Sequence, residues 1–333
     1  MKTSSKRFNV FGVGNAMVDI LALVPDEFIQ DESLDKGGMR LVDAATQASL
    51  MEKLTDTPLK MRSGGSAANT ILAIAQSGGA AIYTGKVSDD ENGKFYRQDM
   101  IEANVGFEVA PAHVYVPTGT CLVLTTPDAE RTMCTHLGVS TSLAETDIHV
   151  DHLADSDMVY VEGYLWDVES PRQASVRTME EAKRAGVRIS YTFSDPFLVN
   201  RFTDDFRNIT REYCDVIFCN AEEIQHFIGD ESLEGACRAL GEMVELAFVT
   251  NGADGCFVVR RGEMTHVPGF SVKAIDTVGA GDAFAGGVLY GLTNGLDDIQ
   301  AAKWGNFLAS RIVTIQGARL DGDFHGKLAE VIG

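Results

Sequence analysis

Apolar runs typical of buried strands alternate with segments of helical periodicity along most of the 333 residues. The run at 8–13 (FNVFGV) leads into a glycine turn, as does a strand buried on both faces of a parallel sheet. Residues 66–77 space their apolar side chains as a helix does, with Ser66 as the predicted N-cap and Gly78-Gly79 as the stop. This alternation predicts an α/β fold with a doubly wound, mostly parallel sheet flanked by helices, and with ligands at the carboxyl ends of its strands.

Two segments, 21–45 and 107–138, interrupt the alternation. The second alternates apolar and polar residues on both sides of Pro127-Asp128, a pattern typical of antiparallel strands joined by a turn. Because both segments lie between units of the main sheet, we expect them to form a small β-sheet lid over the ligand site. Residues 1–333 are therefore predicted to be a single domain that includes its own lid.

Charge and cysteine content narrow the classes of partner. A formal net charge of -20 disfavours nucleic acid and anionic membranes, because either would approach against a repulsive field. The six cysteines include no CxxC pair and are expected to be reduced thiols. No run approaches about twenty apolar residues, and the N-terminus lacks the apolar core of a signal peptide. We expect a cytoplasmic protein that binds a small molecule, as a monomer or homodimer.

The stretch 276–287 (DTVGAGDAFAGG) opens a long apolar segment with the pattern of a helix. Gly279, Ala280 and Gly281 can direct successive backbone N–H groups to one point at the helix N-terminus, where the dipole also favours an anion. Asp282, in the first turn, would then lie beside this anion hole and could accept a proton from an incoming hydroxyl. The alternative is an ordinary glycine-rich turn in which the helix dipole favours Asp282.

The longer string resembles the C-terminal signature of the ribokinase-like, or pfkB, family of carbohydrate and nucleoside kinases, and the adenosine kinases of that family are the most similar group. The resemblance extends over nearly the whole chain. It implies an ATP-dependent phosphotransferase in which Asp282 is the general base beside the anion hole. The region 12–19 is not a dinucleotide-binding GxGxxG, because Met17 occupies the third glycine position. The P-loop and the protein-kinase motifs are absent from the sequence.

Two further motifs imply the sugar site. Residues 12–19 (GVGNAMVD) resemble the family's opening motif, which implies that Asn15 and Asp19 lie at the substrate and that Asp19 binds sugar hydroxyls. Residues 63–69 (SGGSAAN) resemble the first family signature, in which Gly64, Gly65 and Asn69 hold the sugar. Taken without the resemblance, Asp19 is a lone carboxylate after a strand and Asn69 a partly buried residue near a helix start.

The phosphate side rests on shorter matches. Residues 117–121 (PTGTC) are similar to the adenosine-kinase lid, and Arg131 matches the arginine that reaches the transferring phosphoryl group; a solvated hairpin arginine is the alternative. Asn220 and Glu223 resemble the NxxE motif that orders Mg²⁺ through water, although the same pair also suits a helix cap. The resemblance further implies ATP contacts at Thr250, Gly252 and Asn306, and a monovalent cation such as K⁺ near Asp276.

The substrate that the resemblance favours is adenosine, phosphorylated on its 5′-hydroxymethyl group to AMP with MgATP as donor. Its base would stack against apolar residues such as Met17, Leu41 and Leu165. Departures from the adenosine-kinase pattern at Val278, at 133–136 and at Leu165 bear on recognition of the base. A sugar kinase, a kinase of another nucleoside, and a catalytically silent nucleoside-binding sensor are the alternatives.

Overall fold

The computed structural model describes residues 5–113, 115–128 and 130–333, which form two β-sheets and their surrounding helices. The strands are β1 (Phe8–Val13), β2 (Met17–Leu23), β3 (Met39–Leu41), β4 (Leu59–Gly64), β5 (Ala81–Thr84), β6 (Val105–Gly106), β7 (Gly119–Thr125), β8 (Arg131–His136), β9 (Ser156–Glu162), β10 (Arg188–Thr192), β11 (Val216–Asn220), β12 (Leu246–Thr250), β13 (Gly255–Arg260) and β14 (Glu263–Pro268). The α-helices are α1 (Asp26–Asp31), α2 (Ala44–Glu52), α3 (Ser66–Gln76), α4 (Glu91–Glu102), α5 (Val150–Ala154), α6 (Glu169–Ala185), α7 (Pro196–Arg201), α8 (Thr203–Glu212), α9 (Ala221–Ile228), α10 (Leu233–Gly241), α11 (Ala280–Thr293), α12 (Asp298–Ile312) and α13 (Leu328–Ile332).

The large sheet has the order β14-β13-β12-β11-β10-β9-β1-β5-β6. From β12 to β6 in this order, neighbouring strands pair in parallel, and β13 pairs antiparallel with both β12 and β14. All six residues of β1 are buried, as expected for a central strand covered by helices on both faces. Chain order reverses beside β1, and such switch points create a crevice at the carboxyl ends of the strands. The predicted doubly wound α/β fold is confirmed.

The small sheet has the order β3-β8-β7-β2-β4. It differs in three ways from the predicted 21–45 and 107–138: β2 starts earlier, at Met17, β4 lies outside both ranges, and β7 begins only at Gly119. The predicted antiparallel pair on both sides of Pro127-Asp128 is confirmed as β7 and β8, whereas β2 pairs with β7 and β3 with β8 in parallel. Val114 and Ala129, within the predicted lid range, lie outside the described residues.

Helices α3, α11 and α12 pack closely because glycines line their contacts. A Cβ on Gly286 of α11 would lie 2.6 Å from the Ala73 Cβ of α3, and one on Gly287 would lie 2.8 Å from the Gly305 Cα of α12. The prediction of Ser66 as N-cap is wrong: Gly65, with φ of +102°, is the N-cap and Ser66 is the first residue of α3. The packing brings the N-termini of α3 and α11 together.

Within the described residues, no helix has the combined length and hydrophobicity needed to cross a membrane. The six cysteines are free thiols, and five of them are buried.

Candidate active site

A cavity of about 830 Å³ lies between the small sheet and the carboxyl ends of the large sheet. Its walls come from both sheets and from the N-termini of α3 and α11. Its size is typical of a pocket for a small ligand. The predicted site residues that line it are Asn15, Met17, Asp19, Leu41, Gly65, Asn69, Arg131, Asn220, Glu223, Thr250, Gly279, Gly281 and Asp282.

Asp282 lies in the first turn of α11 and is held by two side chains of α3. The Ser66 hydroxyl donates to Oδ1 at 2.7 Å, and the Asn69 amide donates to Oδ2 at 3.2 Å. Burial raises the pKa of Asp282 to about 6, while the hydrogen bonds from Ser66 and Asn69 lower it. A carboxylate with such a pKa in a cavity can accept a proton from a bound hydroxyl near neutral pH.

The glycine turn before α11 requires its glycine at 279. Gly279 is the N-cap with φ of +76°, and a Cβ there would lie 2.6 Å from the Ala318 carbonyl oxygen. Gly281 lies at the cavity in the first helical turn, where N–H groups lack intrahelical partners. Ala280 differs from its prediction: its N–H donates to the Thr277 oxygen at 3.2 Å, and it does not line the cavity. The turn therefore directs fewer amides at the cavity than the sequence suggested.

Asp19 of β2 enters the cavity from the small sheet. Burial raises its pKa to about 7, an effect that the Arg131 charge opposes and the Asp282 charge reinforces. Gly64 does not line the cavity but lies against Asp19: a Cβ on Gly64 would be 2.3 Å from Asp19 Oδ2. Gly64 therefore makes room for the Asp19 carboxylate.

A buried ion pair joins the small sheet to the segment before α11. Arg131 Nη2 lies 2.7 Å from Asp276 Oδ2, and the two side chains are 5% and 3% exposed. Asp276 also accepts hydrogen bonds from the Val278 and Gly317 amides at 3.0 and 2.9 Å. Arg131 Nε is buried without a hydrogen-bond partner within the described residues. An unpaired buried donor at the cavity wall suits an anionic ligand.

Asn220 and Glu223 form a capping box at the start of α9. Glu223 accepts from the Asn220 N–H at 3.0 Å and from its side-chain amide at 2.9 Å, and the Glu223 N–H donates to Asn220 Oδ1 at 2.8 Å. Burial raises the pKa of Glu223 to about 7. In the described part of the chain, no group of three or more His, Cys, Asp or Glu residues is arranged to hold a metal ion. The pair thus offers oxygen ligands at the cavity but no complete protein cage.

Four further predicted contacts lie away from the cavity. Leu165 is 1% exposed and packs in the core, because the 3-10 helix Gly163–Asp167 turns Tyr164 to the cavity instead. Asn306 is buried on α12, where its amide donates to the Val267 and Pro268 oxygens at 3.0 and 3.2 Å. Gly252 begins a 3-10 helix beyond β12 and does not line the cavity, although Thr250 does. Asp276 also lies outside the cavity lining, behind Arg131.

The sequence reasoning missed several lining residues, among them Ser66, Glu162 and Tyr164. Ser66 lies within the quoted 63–69 motif, so its contact with Asp282 could have been suspected. Glu162 is a carboxylate at the end of a buried strand, where ligand sites of parallel sheets lie. No sequence signal distinguishes Tyr164 from Leu165, because an irregular turn sets which of the two faces the cavity.

Comparisons with known proteins agree on a family. The family described as "pfkB family carbohydrate kinase" matches residues 40–323. A probable sugar kinase from Rhizobium etli CFN 42 superposes with a TM-score of 0.91 at 32% identity, covering 98% of each chain. Adenosine kinase from Sinorhizobium meliloti gives 0.90 at 33% identity, covering 97% of this chain and 99% of that one. A fructokinase from Klebsiella pneumoniae is 28% identical over 248 residues, which are 72% of this chain and 80% of that protein.

Proposed function

The chain belongs to the pfkB family of carbohydrate kinases, and we propose that it transfers the γ-phosphoryl group of ATP to the 5′-hydroxyl of adenosine. The observation that carries the proposal is the position of Asp282, which lines one cavity together with Asp19, Asn69 and the glycine turn before α11. A general base, a diol-binding carboxylate and an anion-binding turn are the parts that alcohol phosphorylation needs.

Asp282 is the proposed general base. With its carboxylate oriented by Ser66 and Asn69, it takes the proton from the 5′-hydroxyl as that oxygen attacks the γ-phosphorus and ADP departs. Negative charge on the transferring phosphoryl group is then met by N–H groups of the turn at Gly279 and Gly281 and by Arg131. The Arg131 Nε, which is buried without a hydrogen-bond partner within the described residues, is one group available for this contact.

Asp19, Asn15, Gly65 and Asn69 are proposed to hold the ribose. A carboxylate can accept hydrogen bonds from two neighbouring hydroxyls, which suits the 2′,3′-diol. The wall beside them includes Met17, Leu41, Met133, Tyr164 and Phe197. Apolar and aromatic side chains can stack against a flat nucleobase, whereas a free sugar would leave this wall without a partner. The wall is therefore the reason to prefer a nucleoside to a free sugar as substrate.

Asn220, Glu223 and Thr250 are proposed to lie at the ATP phosphates. Their oxygens fit Mg²⁺ held through water, because Mg²⁺ prefers oxygen ligands and retains part of its hydration. When bound, Mg²⁺ neutralises phosphate charge. The small sheet is proposed to act as a lid that keeps water from competing with the nucleoside as phosphoryl acceptor.

The test is ADP release with MgATP and a panel of adenosine, guanosine, inosine, ribose and fructose. We expect the highest kcat/KM for adenosine. Preference for ribose or fructose would instead support a sugar kinase, the activity named for two of the matching proteins. Tight adenosine binding by calorimetry without ADP release would support a nucleoside sensor.

A further inference from the structure

The chain passes between the large and the small sheet four times, and two of these connections lie beside each other near β1, where they form a joint between the sheets. The chain leaves β1 at Val13 and enters β2 at Met17, and it returns from β4 through Gly65 into α3. Residues 14–16 therefore lead out and residue 65 leads back, side by side. Any movement of the small sheet relative to the large one must pivot on such connections.

One buried carboxylate holds both sides of this joint. Glu162, at the carboxyl end of β9, is 0% exposed. Its Oε1 accepts from the Asn15 backbone N–H at 2.7 Å and from the Asn15 side-chain amide at 3.1 Å. Its Oε2 accepts from the Ala67 N–H at 2.7 Å. The outgoing and returning segments are thus tied to the same side chain of a third strand.

Close packing leaves these bonds little freedom. A Cβ on Gly14 would lie 2.7 Å from the Glu162 carboxyl carbon and 2.6 Å from the Ala67 Cβ. A Cβ on Gly65 would lie 2.1 Å from the Asn15 oxygen. Glycines at both positions let the two segments approach Glu162 and each other, so the joint has the geometry of a fixed point rather than of a loose loop.

We propose that Glu162 is a positioning residue that fixes the joint of the small sheet and, through it, the sugar-binding Asn15 and Asn69. Asn15 binds Glu162 directly, and Asn69 lies two residues after Ala67 on the first turns of α3. Since both Glu162 oxygens are occupied by protein donors, its effect on turnover passes through these neighbours. The kinetic part of this inference rests on the proposed phosphotransfer, whereas the structural part does not.

The variant Glu162→Gln tests the proposal, because an amide keeps the volume but cannot accept at both ends. The matched control is Glu181→Gln on α6, also a mostly buried glutamate, 8% exposed, which pairs with Arg177 and Arg184 away from the cavity. Hydrogen–deuterium exchange without substrate should become about 10- to 100-fold faster at 14–17 and 65–69 in Glu162→Gln alone, as expected for loss of a charge-assisted hydrogen bond.

Kinetics supply the second readout. In Glu162→Gln we expect the KM of the nucleoside to rise about tenfold while the KM of ATP is unchanged, because the proposed ATP contacts lie at the ends of β11 and β12 and in α9. A purely structural role would lower the melting temperature and the active fraction but leave both KM values as in Glu181→Gln. If wild type phosphorylated no member of the panel, the exchange measurement would still decide whether Glu162 fixes the joint.

Two results would overturn the proposal: exchange at the joint unchanged in Glu162→Gln, or exchange accelerated equally throughout the chain. If Glu162→Gln does not fold, wild type alone decides. The amides of Asn15 and Ala67 should then exchange as slowly as those of β1, and exchange as fast as that of the outer strand β3 would refute the inference.

Discussion

Replacing Asp282 with Asn should lower the catalytic activity and raise the stability of the fold, because the carboxylate is needed for proton transfer but is unfavourable when buried. An Asn can still accept from Ser66 through its oxygen. Its amide would face the Asn69 amide, which now donates to Oδ2, so the site keeps its shape if Asn69 turns its buried, unpartnered Oδ1 toward residue 282. Loss of the general base should lower kcat about 10²- to 10⁴-fold, with little change in the KM of either substrate. The assay is ADP release at saturating MgATP.

Stability should rise because the fold disfavours the charged Asp282. Its pKa is raised from 3.8 to about 6, so the folded protein loses stability as pH rises from about 4 through 6, and the full cost is present above that. At about 1.4 kcal/mol per pKa unit, reduced for partial exposure to the cavity, the cost is about 1–3 kcal/mol. The Asn variant should therefore melt higher than wild type at about pH 8 and no higher at about pH 4.

The prediction for activity and the prediction for stability can each fail independently. A kcat within tenfold of wild type would exclude Asp282 as the base. A variant that melts lower at about pH 8 would show that the carboxylate stabilises the fold, and that burial does not raise its pKa. The control Asp195→Asn removes another carboxylate at the cavity, one that caps α7, and because Asn caps a helix about as well as Asp, its melting temperature should stay close to that of wild type.

One pH series and two substitutions test the site further. Turnover by wild type should fall about tenfold per pH unit below about 6, the pKa of Asp282, because the protonated base is inactive; a pH series of kcat checks this. Arg131→Ala should cost about 3–5 kcal/mol in unfolding free energy, measured with urea, because it leaves Asp276 buried and unpaired, and should lower kcat about 10³-fold. Tyr164→Ala should raise the KM of adenosine about threefold to tenfold and leave that of ribose unchanged.

Each of these has a plain contrary result. A kcat independent of pH between about 5 and 7 would contradict the titration of Asp282. Arg131→Ala with wild-type stability would show that the Asp276 pair contributes nothing, and Arg177→Ala, which breaks a half-exposed pair on α6, is its control. Equal changes of KM for adenosine and ribose in Tyr164→Ala would place the tyrosine at the sugar and not at the base.

The main sheet was predictable because local sequence patterns mark its strands. Runs such as β1 and β11 are buried almost throughout, and a continuous apolar run suffices to identify them. Strand β4 was missed because Leu59–Gly64 is an edge strand whose first three residues are exposed, so no alternation marks it. The parallel pairing of β2 with β7 is fixed by the path of the chain, which a local pattern does not contain.

Two of the differences at the site come from contacts over long sequence separation. Ser66 fits the pattern of an N-cap, but its hydroxyl is bonded to Asp282, 216 residues away. Arg131 fits a solvated hairpin, but it is buried against Asp276. In both cases the residue type was correctly singled out and its partner was not. Propensity describes the local chain, and tertiary packing decides between the remaining partners.

Burial of the cavity has two effects in this site: it excludes water, and it makes Asp282 a stronger base. Burial is the largest influence on the pKa values of Asp282, Asp19 and Glu162, each raised to between about 6 and about 7. If the small sheet is a lid, opening it hydrates the cavity and lets the pKa of Asp282 fall toward 3.8, which makes the carboxylate a weaker base. Closure would then bring the base to its useful pKa only when water is excluded. A joint that fixes where the lid closes, as proposed for Glu162, therefore acts on proton transfer as well as on sugar binding.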